Sequence, residues 1–183
     1  MNAMVHPDLL QPAAASPAAL KALPAEPAQY LTFMLGSELF AIGILAIKEI
    51  IEYDTLTQVP MMPASVRGVI NLRGAVVPVM DPMARFGRQP SAVTKRTCIV
   101  IVEMRVEDER QVIGLVVDAV SEVLDIALTD IEPAPAFGAR IRTDFIQGMG
   151  KVNGKFVILL DVNKVLSLDE LGAAAHAAQE LNS

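Results

Sequence analysis

The chain has 183 residues, 52% of them apolar, and a net charge of −6, enough for one compact unit with a sizeable core. Its two histidines, His6 and His176, lie near the ends and Cys98 is the single cysteine, which disfavours a His-assisted nucleophile, a His-ligated metal and an internal disulfide. Acidic charge, no Trp, six Phe and two Tyr make a poor surface for nucleic acid, which wants basic grooves and aromatic platforms.

No apolar run approaches the ~18–20 residues of a membrane span, and no basic segment precedes an apolar stretch as in a secretory signal. A cytoplasmic protein with no direct membrane insertion is expected. Residues 1–28 interleave five prolines with nine alanines; proline removes donors and alanine offers little area to bury, so this stretch reads as a disordered tail.

The ordered part begins near Gln29. Tyr30 to Leu35 and Leu39 to Ile42 read as short strands around a turn at Gly36-Ser37-Glu38. Ile44, Ile47, Ile50 and Ile51 have helical spacing and predict a short helix, although β-branching makes its propensity modest. After a loop with Pro60 and Pro63, two apolar runs, Val66 to Leu72 and Ala75 to Met80, meet at Arg73-Gly74.

This half of the chain is then repeated. Ala46 to Glu52 aligns with Ala119 to Asp125 at an offset of 73, and Thr57, Val59 and Pro63 with Thr129, Ile131 and Pro135 at 72. Gly68, Gly74 and Asp81 align with Gly148, Gly154 and Asp161 at 80, the drift reflecting a longer loop near 136–143. Three stretches in the same order indicate an internal duplication. Each unit holds about five short strands and one short helix, too little for an open sheet with both faces covered, so each is expected to curl into a small barrel. The expected fold is all-β with peripheral short helices: two five-stranded barrels packed together, the first mainly within 29–90 and the second mainly within 95–162. Asn153-Gly154 between two apolar runs predicts a type I′ hairpin. Ser167 and Glu170, with capping-box spacing, start a C-terminal helix that ends near Leu181, helix and tail together occupying 167–183.

Candidate chemistry is sparse. Asp81, Asp118 and Asp161 each end or interrupt an apolar stretch, and a hydrolase would have to draw its carboxylates from them. Asp81 and Asp161 occupy equivalent repeat positions, which favours a strand-end turn role. Arg67-Gly68 and Arg73-Gly74 lack the spacing of a phosphate loop, and Cys98 sits in a buried-looking strand with no histidine to activate it. Arg73 stands out, because its repeat equivalent is the Asn of the Asn-Gly turn and arginine does not ease a left-handed turn conformation. Either the turn differs or Arg73 aims its guanidinium at a carboxylate, on this chain or on a partner. A groove between the barrels, bordered by Ile47 and Val120, could accept the apolar face of a partner helix. The basic cluster Arg85, Arg88, Lys95 and Arg96 reads as a solvated loop between the repeats. A small-molecule-binding barrel is the remaining alternative.

The run Val66-Arg67-Gly68-Val69-Ile70-Asn71-Leu72-Arg73-Gly74, continued to Val77-Pro78-Val79-Met80-Asp81, resembles the signature of the CheW chemotaxis coupling proteins. Leu45 to Ile50, Gly114-Leu115-Val116-Val117-Asp118 with Val120 and Val123, and Ile131-Glu132-Pro133-Ala134-Pro135 fit the same family, over roughly 29–166. The resemblance implies two SH3-like barrels and a non-catalytic adaptor without cofactor or metal. It implies two partners, the regulatory domain of the histidine kinase CheA and the cytoplasmic tip of methyl-accepting receptors, with recruitment to receptor arrays at the membrane. By the same resemblance Glu49, Gly68 and Arg73 serve kinase coupling, with Glu49 and Arg73 associated with one another. Ile47, Cys98, Val120 and Val123 fall in the receptor-contact region. Pro82 departs from the leucine that commonly follows the signature aspartate. The chain is too short for the additional modules of CheA or CheV, leaving a stand-alone coupling protein as the expectation.

Overall fold

The structure, a computed structural model, describes residues 28–106, 108–133 and 145–166. The expected C-terminal helix and tail over 167–183 and all but the last residue of the expected Pro/Ala tail lie outside them. Eleven strands follow in chain order: β1 (Ala28–Leu35), β2 (Glu38–Gly43), β3 (Ile47–Glu52), β4 (Val66–Leu72), β5 (Ala75–Met80), β6 (Cys98–Val106), β7 (Glu109–Val117), β8 (Ala119–Ile126), β9 (Ile131–Glu132), β10 (Ile146–Val152) and β11 (Lys155–Leu160). One-turn helices α1 (Pro82–Arg85) and α2 (Val162–Val165) follow β5 and β11.

The strands form two sheets, one ordered β8-β1-β2-β11-β10-β9 and the other β3-β6-β7-β5-β4. These are the two expected barrels, but they do not coincide with the sequence halves 29–90 and 95–162. The hairpin β1–β2 joins the sheet that holds β8 to β11, while β6–β7 joins β3 to β5, so the repeats exchange their opening hairpins. Parallel pairings seal the exchange, Ile158 and Leu159 opposite Phe40 and Ala41, and Val79 and Met80 opposite Gly114 and Leu115.

The exchange explains the uninterrupted apolar runs. On β6, Val100 and Val102 belong to a core cluster with Phe33, Phe40, Leu115 and Phe145, drawn from both sheets, whereas Ile99 and Ile101 pack with Val79 and Val116 inside their own barrel. All four side chains on β6 are fully buried. A strand covered on both faces has no polar side to alternate with. The second barrel has its own interior, built on Tyr30, Ala41, Ile126, Val157 and Leu159.

The helices expected over Ile44–Ile51 and its repeat are replaced by strands β3 and β8, with a three-residue 3-10 turn at Ile44–Ala46. The physical reason is a bulge. Ile47 opposes Val102 and Ile50 opposes Val100, so three steps along β3 match two along β6 and both isoleucines share one face. Val120 and Val123 oppose Phe33 and Leu31 in the same way on β8. One inserted residue turns a two-residue period into an i, i+3 spacing, and the β-branched side chains favour the strand. Opposite the irregularity in β8, the buried Thr32 of β1 fills it, its hydroxyl donating to the Glu122 carbonyl (2.7 Å) and accepting from the Glu122 N–H (3.0 Å).

Asp81 and Asp161 are strand-end caps. Asp81 Oδ1 accepts from the Met83 and Ala84 N–H groups, with Pro82 in the first turn where its missing donor costs nothing. Asp161 does the same for Asn163 and Lys164. The departure at Pro82 thus completes a helix start.

Gly68 closes the β3–β5 barrel. The chain beyond β3 returns to β4 through paired hydrogen bonds between Thr57 and Val69 (3.0 and 2.9 Å). At φ +154°, a Cβ on Gly68 would lie 2.5 Å from the Thr57 carbonyl oxygen. Gly68→Ala is therefore expected to break this closure and to cost at least about 1–3 kcal/mol in urea denaturation. A midpoint equal to wild type would show that the closure is dispensable.

Candidate functional site

The β4–β5 turn settles the open question about Arg73. Its φ is +53° and that of Gly74 is +88°, matching Asn153 (+52°) and Gly154 (+77°) in the β10–β11 turn. The turn geometry is shared, so arginine is present for its side chain. Arg73 Nη1 and Nη2 donate to Glu49 Oε2 (2.6 Å) and Oε1 (2.8 Å), a bidentate fork spanning from the β4–β5 turn to the edge strand β3. Asn71 Oδ1 steadies the turn by accepting the Gly74 N–H (2.8 Å).

The Arg73 side chain is 71% exposed and that of Glu49 26%. Exposed pairs add little to stability; what the geometry does is fix two charges in a defined position at the barrel surface. The hydrogen bond from Arg73 holds the Glu49 carboxyl below its ordinary range against some desolvation, with the Arg73 and Lys48 charges assisting. The same hydrogen bond raises the guanidinium of Arg73. At the repeat-equivalent place Glu122 and Asn153 form no such pair.

The receptor-contact candidates divide. Ile47, Cys98 and Val120 are partly buried, and each packs against the core cluster shared by the two sheets. Val123 is 45% exposed and lies on the same face of β8 as Val120. Ile50, which the sequence reading did not single out, is its counterpart on β3 at 42% exposure. The i, i+3 spacing that suggested a helix was its signal. Burial raises the Cys98 thiol, with the Glu52 charge adding to this.

The sequence reading also missed a buried network at the opposite end of the β4–β5 hairpin from the turn. Asp81 is fully buried, and its Oδ2 accepts from Arg67 Nε (3.0 Å) and from the Ser91 N–H (3.1 Å). Arg67 also donates to Tyr53 Oη (3.3 Å) and to the Ser91 carbonyl. Burial pulls the Arg67 guanidinium down, and its bonds to Asp81 and Tyr53 more than offset this. One arginine thereby fastens the loop between the repeats to the base of α1. Asp118, the third candidate carboxylate, accepts the Gly36 N–H (2.7 Å) and holds the β1–β2 turn. Among the described residues no group of three or more His, Cys, Asp or Glu side chains could hold a metal ion, and no helix is long and apolar enough to cross a membrane.

Two hairpin-exchanged barrels that display a fixed ion pair and an apolar rim define a β-barrel scaffold. The CheW-like domain model matches residues 29–170. The chemotaxis protein CheW of Klebsiella aerogenes is 34% identical over 151 residues, 82% of this chain and 89% of the relative. That of Rhizobium meliloti is 34% identical over 146 residues, 80% and 92% of the two chains. The crystal structure of the scaffolding protein TtCheW from Thermoanaerobacter tengcongensis superposes with a TM-score of 0.70 at 33% identity, covering 79% of this chain and 90% of that one. The chain belongs to the CheW family, whose members are scaffolding proteins of chemotaxis.

The lowered Glu49 pKa gives a pH test. The pair contributes fully above the ordinary glutamate range and is lost as pH falls through the depressed folded-state value. The stability gap between wild type and Arg73→Gln in urea is expected to be small, largest near pH 7, and to shrink as pH falls below the ordinary glutamate range. A gap that does not change with pH would rule out the pair as its source.

Proposed function

We propose that this chain couples methyl-accepting receptors to the histidine kinase CheA, as a cytoplasmic adaptor recruited to receptor arrays at the membrane. The observation that carries the reading is the bidentate Glu49–Arg73 pair, held in a strained turn and left exposed. A fold gains little by keeping an arginine in a left-handed turn for a surface ion pair, whereas a partner gains a rigid pattern of charge.

In this reading Glu49, Arg73 and Gly68 form the kinase-coupling site. The pair supplies the charge pattern, and Gly68 lets β4 approach Thr57 closely enough to close the barrel that carries the pair. Ile47, Cys98, Val120 and Val123 form the receptor-facing surface, with Ile50 added. Two edge strands, one from each barrel, carry its exposed apolar side chains, which suits the apolar face of a docked helix. Kinase and receptor contacts lie on one small body, so weak individual contacts gain strength through multivalency. The chemistry is binding alone, without cofactor, metal or nucleic acid.

Reconstituted CheA autophosphorylation with receptor is the test. Arg73→Glu is expected to lower receptor-dependent activity about fivefold or more, and the swap Glu49→Arg/Arg73→Glu to restore part of it. Val120→Asp is expected to weaken receptor binding about tenfold, more than it weakens folding, while CheA binding stays near wild type. Full activity of Arg73→Glu would exclude the pair from coupling, and a Val120→Asp chain that merely unfolds would assign Val120 to the core.

A further inference from the structure

A cleft of about 770 Å³ opens beside the apolar rim, between the inter-repeat loop (Ala92, Thr94, Lys95, Arg96) and the β1–β2 turn with the start of β8 (Met34, Gly36, Asp118, Ala119). Both walls are pinned. Asp118 holds Gly36 on one side. On the other, Arg67 and Asp81 grip Ser91, and the Thr97 hydroxyl accepts the Thr94 N–H (2.8 Å) while the Thr94 hydroxyl accepts that of Arg96 (3.1 Å). Lys95 and Arg96 are exposed, and neither forms an ion pair with a described residue. In a chain of net charge −6, two adjacent cations without an ion-pair partner among the described residues stand on a fastened loop, across the cleft from Asp118.

The cleft is continuous with the rim. Arg96 is two residues before Cys98, whose partner on β7 is Val117, and Val117 is followed two residues on by the cleft-lining Ala119 and then by Val120. We propose that the cleft is the charged end of the receptor-facing surface: Lys95 and Arg96 receive an acidic side chain of the receptor helix whose apolar face covers Cys98 and Val120. This inference rests on the receptor assignment above and adds a determinant of specificity and orientation to it. An apolar stripe alone lets a helix dock in either direction and slide by a turn, whereas a cation pair at one end accepts the register that brings a carboxylate to it and opposes the others.

The experiment measures binding of the full chain to a purified cytoplasmic fragment of the cognate receptor by calorimetry, at about 50 and about 300 mM salt. Lys95→Glu/Arg96→Glu is expected to bind about tenfold more weakly at low salt, with the difference shrinking at high salt as screening sets in, and Lys95→Gln/Arg96→Gln is expected to fall between. CheA binding and the urea midpoint of both variants are expected to match wild type. Charge-reversed protein that binds the fragment like wild type, while Val120→Asp does not, overturns this inference and leaves the receptor surface standing. Wild type that fails to bind the fragment at all overturns both.

Discussion

The apolar layer shared by the two sheets is the constraint from which the rest of the architecture follows. Phe33 and Phe40 of one sheet meet Val100, Val102 and Leu115 of the other, and Phe145 completes the layer. Neither barrel has an independent inner face there; each supplies the cover for its neighbour. Edge strands β3 and β8 consequently come to the margin of this layer, where Ile47 and Val120 are half in the core and half at the surface. The apolar rim is the outcrop of the core itself, which makes it rigid without any dedicated support.

Local asymmetry then separates the two halves of a duplicated design. Both barrels carry a bulged edge strand and a left-handed turn at matching places. Only the first places arginine in the turn opposite the bulge-borne glutamate. Asp81 and Asp161 both cap helices, but Asp81 is in addition gripped by Arg67, whereas the position matching Arg67 in the second half is Gln147. The repeat supplies the scaffold, and departures from the repeat carry the candidate chemistry.

Much of this was legible in the residues. Asn153-Gly154 and the two apolar runs around Arg73-Gly74 declare their hairpins locally, because turn chemistry acts over two residues. Arg73 was conspicuous because it occupies a turn position that its side chain does not suit. Strand β3 was misread, since an inserted residue gives Ile47 and Ile50 the spacing of a helix, and a bulge shows only when the partner strand is known. The Arg67–Asp81–Ser91 network left no local trace, joining groups 14 and 24 residues apart from Arg67. The exchange of hairpins was equally silent, because apolar periodicity says which face is buried but not against which strand.

That exchange has a consequence for how the molecule comes apart. A single cut in the loop after α1 would leave two fragments, and neither would own a complete barrel: the first keeps β1–β2 but loses β8 and β11, and the second keeps β6–β7 but loses β3 and β5. The fragments remain interlaced, like the fingers of two clasped hands. A domain boundary drawn from the repeat therefore marks ancestry and not a unit of folding, and the two barrels stand or fall as one body.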